Sequence, residues 1–137
     1  MKVSFYNITL DIHNTYSALG TCERFCQSGE GHCIYFVNAH CFNVAQKNQL
    51  YRSVLNRGDL ILNDGIGIKL AALLGGIRLK ENMNGTDFIP ELLEFCRQRK
   101  LSVYLLGGQS WVIERAKFNL ENQYKGLLIS GYRDGYF

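Results

Sequence analysis

The sequence predicts an α/β fold: a mostly parallel, Rossmann-like sheet with helices on both faces. Three observations carry this. Apolar, β-prone runs recur at residues 33–37, 59–62, 103–106 and 127–129. Stretches with helical apolar spacing separate them, and Gly, Asn or Asp follows the strand ends. Strand and helix alternating at this spacing calls for right-handed crossovers, and so for parallel pairing.

The elements follow in order. Residues 3–10 mix apolar and polar side chains and read as one edge strand. Residues 14–27 suit a short helix, closed by the turn Ser28-Gly29-Glu30-Gly31. Residues 33–37 form a continuous β-prone run of the kind buried on both faces. From His40 the period becomes helical, with Cys41, Val44, Ala45, Tyr51, Val54 and Leu55 on one stripe. Residues 59–62 give a second buried strand, ended by Asn63-Asp64-Gly65, and residues 67–74 a helix closed by Gly75-Gly76. Thr86 or Asp87 is the expected cap of the next helix, with Pro90 tolerated in its first turn. Residues 103–106 form a third buried strand before Gly107-Gly108. A helix over about 110–124 leads to a fourth β run at 127–129, ahead of Gly131-Tyr132.

Composition narrows the class. The 137 residues are expected to form a single domain over 1–137, with 47% hydrophobic and 20% charged residues, ordinary for a globular chain. A net charge of +3 is too mild to indicate a nucleic-acid partner. No run approaches the length of a membrane span, and the N-terminal residues lack signal-peptide features, so a soluble cytoplasmic protein is the default. Five cysteines, an odd number, read as reduced thiols. Cys22, Cys26, His32, Cys33, His40 and Cys41 cluster in sequence but lack zinc-knuckle spacing, so neither a metal nor a cofactor is expected.

In open α/β sheets, ligands bind beyond the carboxyl ends of the strands. Three such ends stand out: Val37-Asn38-Ala39-His40, Asn63-Asp64-Gly65-Ile66-Gly67 and Leu106-Gly107-Gly108-Gln109-Ser110. Glycines before a helix suit a diphosphate cradle, and they suit plain tight turns equally. Asp64 can take a proton or bind a ribose hydroxyl, and it can also cap the helix that follows. Leu70 stands where a dinucleotide fingerprint has its third glycine, which weighs against an NAD- or FMN-binding domain.

These three blocks, with Asn84-Gly85-Thr86-Asp87 and Gly135-Tyr136-Phe137, resemble in order and spacing the WecG/TagA/CpsF glycosyltransferases (glycosyltransferase family 26). The match runs from about Phe36 to the end; the first thirty-odd residues resemble the family only loosely.

The resemblance implies a membrane-associated cytoplasmic enzyme of cell-surface polysaccharide or teichoic acid synthesis. It would transfer an N-acetylmannosamine-type sugar from a UDP-sugar donor to a lipid-linked acceptor, on undecaprenyl diphosphate, with inversion and without a metal. It further implies Asp64 as the general base, with Asn38 in the same pocket. Gly107 and Gly108 would approach the UDP, and Tyr136 would stack on uracil. Asn63, Gly65, Gly85, Thr86, Asp87 and Gln109 stand in the same blocks as further substrate-binding residues. Many members carry Arg where Asn82 stands; Arg78 or Lys80 can substitute. The family pattern continues past Phe137 with a basic segment that contacts the membrane, so the chain is expected to be the N-terminal portion of the family fold. Related enzymes self-associate. A non-catalytic nucleotide-binding module is the alternative reading.

Overall fold

The computed structural model describes residues 1–137. They form β1 (Lys2–Phe5), β2 (Ile8–Asp11), α1 (Thr15–Ser28), β3 (Ile34–Val37), α2 (Ala39–Lys47), α3 (Gln49–Leu55), β4 (Leu60–Asn63), α4 (Ile66–Leu74), α5 (Gly85–Gln98), β5 (Ser102–Leu106), α6 (Ser110–Gln123) and β6 (Leu128–Arg133). The architecture is α/β, with parallel ladders β3–β4 and β5–β6 and an antiparallel hairpin β1–β2. The strands form these three small ladders, not one continuous ladder. The chain divides into two compact units, Met1–Phe88 and Ile89–Phe137.

In the first unit, the expected single N-terminal strand is instead a hairpin. Tyr6 and Asn7 both have positive φ, 46° and 63°, the geometry of a tight two-residue turn that keeps the twist of its flanking strands. Phe5, Ile8, Leu10 and Ile12 face the core. The buried Asp11 carboxylate accepts the Ile61 N–H at 3.0 Å and has Lys2 Nζ at 3.7 Å. A side chain thus joins the hairpin to β4.

Leu60, Ile61 and Leu62 of β4 are buried, as the apolar run dictates, and so is the polar Asn63 that ends the strand. β3 is only half-buried until Val37, so its expected burial on both faces is corrected. The two strands run parallel in the register Ile34↔Leu60 to Val37↔Asn63. The long helix expected from His40 breaks at Asn48, which ends α2 and caps α3 through Tyr51 N–H at 2.9 Å. The apolar stripe continues across the break, but Val54 lies exposed.

In the second unit, β5 and β6 pair in parallel from Ser102↔Leu128 to Leu106↔Arg133, with a bulge that leaves Ser130 without a partner position. β6 spans Leu128–Arg133 and so runs on through Gly131 and Tyr132, beyond the 127–129 run expected. β5 is not buried on both faces: Tyr104 and Leu106 are exposed while Val103 and Leu105 are half-buried. α6 packs against β5 and β6, and the alternation is that of a ladder covered on one face.

Candidate functional site

In the first unit the candidate residues collect at the carboxyl ends of β3 and β4. The Asp64 N–H donates to the Val37 carbonyl at 2.8 Å, which extends the ladder by one rung and sets Asp64 beside Asn38. Asn38 is the N-cap of α2: its Oδ1 accepts from Cys41 N–H at 2.9 Å. One end of this amide is therefore committed to the helix. Asn63 is 1% exposed and donates through Nδ2 to the Glu81 carbonyl at 2.9 Å. Its role is to anchor the 81–84 loop to the strand end.

Asp64 is different. Gly65 is the N-cap residue of α4, in a backbone conformation (φ 88°, ψ 152°) that belongs to glycine, and no side chain caps the helix. The alternative role of Asp64, capping α4, is thereby removed. The half-buried carboxylate stands next to a helix N-terminus whose first N–H groups await an acceptor.

The α5 terminus corrects an expectation. Neither Thr86 nor Asp87 is the cap; Asn84 Oδ1 accepts the Asp87 N–H at 2.8 Å, and Asn84 Nδ2 donates to Asp87 Oδ2 at 2.8 Å. Asp87 is thus tied into the cap, and Thr86 lies exposed. A Cβ on Gly85 would meet nothing within 4 Å. Phe88 fixes this terminus on β3, its ring 6.0 Å from that of Phe36. Asn82, where the family pattern carries Arg, has a buried Oδ1 without a hydrogen-bond partner. Across the chain, Asn side chains cap α1, α2, α3 and α5, while α4 and α6 have no side-chain cap.

The second unit holds the glycine loop. Gly107 (φ 125°) donates to the Arg133 carbonyl at 3.0 Å, and Gly135 N–H donates to the Gly108 carbonyl at 2.9 Å. A Cβ on Gly135 would lie 3.3 Å from Gly107 Cα, so the two backbones touch. Gln109 stands at the N-cap of α6 without capping it; its Oε1 accepts from Trp111 Nε1 at 2.6 Å.

Sequence reasoning missed Asp134. Its Oδ2 accepts from Ser110 Oγ at 2.9 Å and its Oδ1 accepts the Tyr136 N–H at 2.9 Å. The Tyr136 amide, and after it the Ser110 hydroxyl, hold this carboxyl below its ordinary value. An Asp just before Gly-Tyr was the available signal, since short polar side chains bond backbone N–H groups two residues on. The contact fixes the backbone of Tyr136, whose ring is 78% exposed and open to stacking. Arg133 lies over the Phe137 ring at 4.3 Å.

All five cysteines are free thiols, with Cys22 buried. No three of the His, Cys, Asp and Glu side chains group together. No helix is long and apolar enough to cross a membrane.

A carboxylate beside an open helix N-terminus at parallel strand ends can take a proton next to a bound anion. That is an arrangement suited to group transfer from a phosphorylated donor. In comparison with known proteins, the profile of the glycosyl transferase WecG/TagA/CpsF family matches residues 3–137. The chain belongs to this family.

It is similar to the N-acetylglucosaminyldiphosphoundecaprenol N-acetyl-beta-D-mannosaminyltransferase of Bacillus subtilis (strain 168), 33% identical over 106 residues, or 77% of this chain and 41% of that protein. The protein of the same name from Bacillus spizizenii is 35% identical over 92 residues, 67% of this chain and 36% of the relative. That from Staphylococcus aureus (strain NCTC 8325 / PS 47) is 27% identical over 111 residues, 79% and 44%. The chain spans about two fifths of the length of these curated relatives.

Proposed function

We propose that this chain provides the donor-binding and base-bearing part of an inverting glycosyltransferase. The enzyme moves an N-acetylmannosamine-type sugar from UDP to an N-acetylglucosaminyl-diphosphoprenol acceptor at the membrane surface. The observation that carries the reading is Asp64, a carboxylate released from helix capping at the carboxyl end of a parallel strand pair. The names of the relatives supply the sugar and the lipid-linked acceptor.

The step is a single displacement. The acceptor hydroxyl oxygen attacks the anomeric carbon as its proton passes to the Asp64 carboxylate. The bond from that carbon to the β-phosphate oxygen breaks, and UDP leaves with the electron pair. In the first unit, Asn38 presents the free end of its amide beside Asp64, and Asn63 and Gly65 hold the loop in shape. Gly85, half-buried, and the exposed Thr86 and Asp87 open the first turn of α5 in the same unit. In the second unit, Gly107, Gly108 and Gln109 lead into the uncapped α6, whose N–H groups suit a diphosphate, and Tyr136 offers a ring for the uracil. A positioned base contributes roughly 10²–10⁴-fold to such a step.

Calorimetric titration with UDP and with NAD tests the assignment. UDP binding with no heat from NAD is expected; preferential NAD binding overturns the reading. Binding of UDP without transfer, in the presence of donor and acceptor, would favour a nucleotide-binding module instead.

A further inference from the structure

Within residues 1–137, helix α4 presents an exposed apolar face. Ile66, Leu70 and Leu73 are all more than half exposed and line a groove of about 250 Å³. Lys69, Arg78 and Lys80 line it as well, and no acidic side chain does. The ion pairs of the chain lie elsewhere.

An apolar floor with three cations and no acid complements an anionic amphiphile, a charged head with a hydrocarbon tail. Other occupants fit less well. A free phosphate would use the cations and leave the leucines wet. A second copy related by a twofold axis would set the same cations against each other. A bilayer surface calls for a protruding apolar face, and this one is concave. The groove is also smaller than the roughly 300–1,000 Å³ of pockets that enclose a whole small ligand, so it suits the head end of a long one. Its first residue, Ile66, opens α4 and follows Asp64 by two positions.

We propose that this groove seats the polyprenyl-diphosphate end of the acceptor. The diphosphate rests among Lys69, Arg78 and Lys80, and the first isoprene units lie along Ile66, Leu70 and Leu73. The proposal rests on the glycosyltransferase reading, to which it adds the lipid subsite.

The test is calorimetric titration of the chain with farnesyl diphosphate, inorganic diphosphate and farnesol, together with co-sedimentation on vesicles of phosphatidylglycerol and phosphatidylcholine. Farnesyl diphosphate is expected to bind at least about tenfold more tightly than inorganic diphosphate or farnesol, because head and tail both contribute. Leu70→Glu and the double variant Arg78→Ala/Lys80→Ala each weaken it by about tenfold or more. Both change exposed side chains, and thermal melts confirm folding. Equal affinity for inorganic diphosphate overturns the proposal in favour of a bare anion site. Vesicle binding lost in Leu70→Glu, with farnesyl diphosphate affinity unchanged, overturns it in favour of a membrane face. A dimer that Leu70→Glu dissociates, again with that affinity unchanged, overturns it in favour of a second copy. UDP is titrated on the same samples. UDP binding without farnesyl diphosphate binding removes the groove assignment alone, whereas the converse supports the groove and removes the UDP-sugar reading.

Discussion

The Asp134 carboxylate accepts the Ser110 hydroxyl at 2.9 Å, and this bond ties the segment that ends in Tyr136 and Phe137 to the first turn of α6. The other carboxylate oxygen holds the Tyr136 N–H at 2.9 Å. One side chain therefore sets both the mouth of the glycine loop and the backbone of the ring expected to stack on the base. Asp134→Ala should weaken UDP binding by about tenfold, the scale of one lost charge-assisted contact. Isothermal titration checks this, and unchanged affinity would detach Asp134 from the donor site.

The same carboxylate sets a pH dependence. Its folded pKa lies below the ordinary 3.8, chiefly because of the Tyr136 amide. Stabilisation from the contact is fully present above that ordinary value and is lost as the pH falls through the lowered one. The Tyr136 amide chemical shift should therefore titrate with a midpoint below 3.8, and Asp134→Asn should abolish the titration. A midpoint at or above 3.8 contradicts the contact.

Two glycines should respond in opposite ways to alanine. At Gly135 the new Cβ meets Gly107 Cα at 3.3 Å and Gly108 N at 3.5 Å, backbone atoms that cannot swing aside. Gly135→Ala should open the junction, lower the melting temperature and weaken UDP binding. At Gly85 there is no atom within 4 Å and φ is not positive. Gly85→Ala should leave stability unchanged or raise it by up to about 1 kcal/mol, through helix propensity and a stiffer unfolded chain. Thermal denaturation of both variants separates the two cases.

The cap of α5 gives a second contrast. Asn84→Ala should cost about 1 kcal/mol, the usual value of a lost N-cap. Thr86→Ala, at an exposed position outside the cap, should cost less than about 0.5 kcal/mol. Equal losses would contradict the assignment of Asn84.

How far these features were legible in the sequence depends on the residue. The buried β4 was legible because Leu60, Ile61 and Leu62 leave an unbroken apolar run; the burial of the polar Asn63 that closes it was not. The N-terminal hairpin was not, because its turn uses Tyr6 and Asn7 at positive φ and lacks the Asn-Gly pair that usually marks such a turn. The break at Asn48 hid behind an apolar stripe that stays in phase across α2 and α3. Exposure of Tyr104 and Leu106 was also hidden, since a β-prone run looks alike whether one face or two are covered. At the site, Asp64 was visible as a carboxylate after a strand. Its release from capping was not, because it depends on the backbone angles of Gly65.

The central claim is that Asp64 accepts the acceptor proton. The most direct measurement is transfer of N-acetylmannosamine from its UDP donor to a short-chain N-acetylglucosaminyl-diphosphoprenol, followed as UDP release, with Asp64 intact and with Asp64→Asn. The isosteric amide cannot take the proton, so transfer should fall by roughly 100-fold or more while UDP affinity stays within about twofold. Transfer at the original rate with Asn at position 64 would contradict the account.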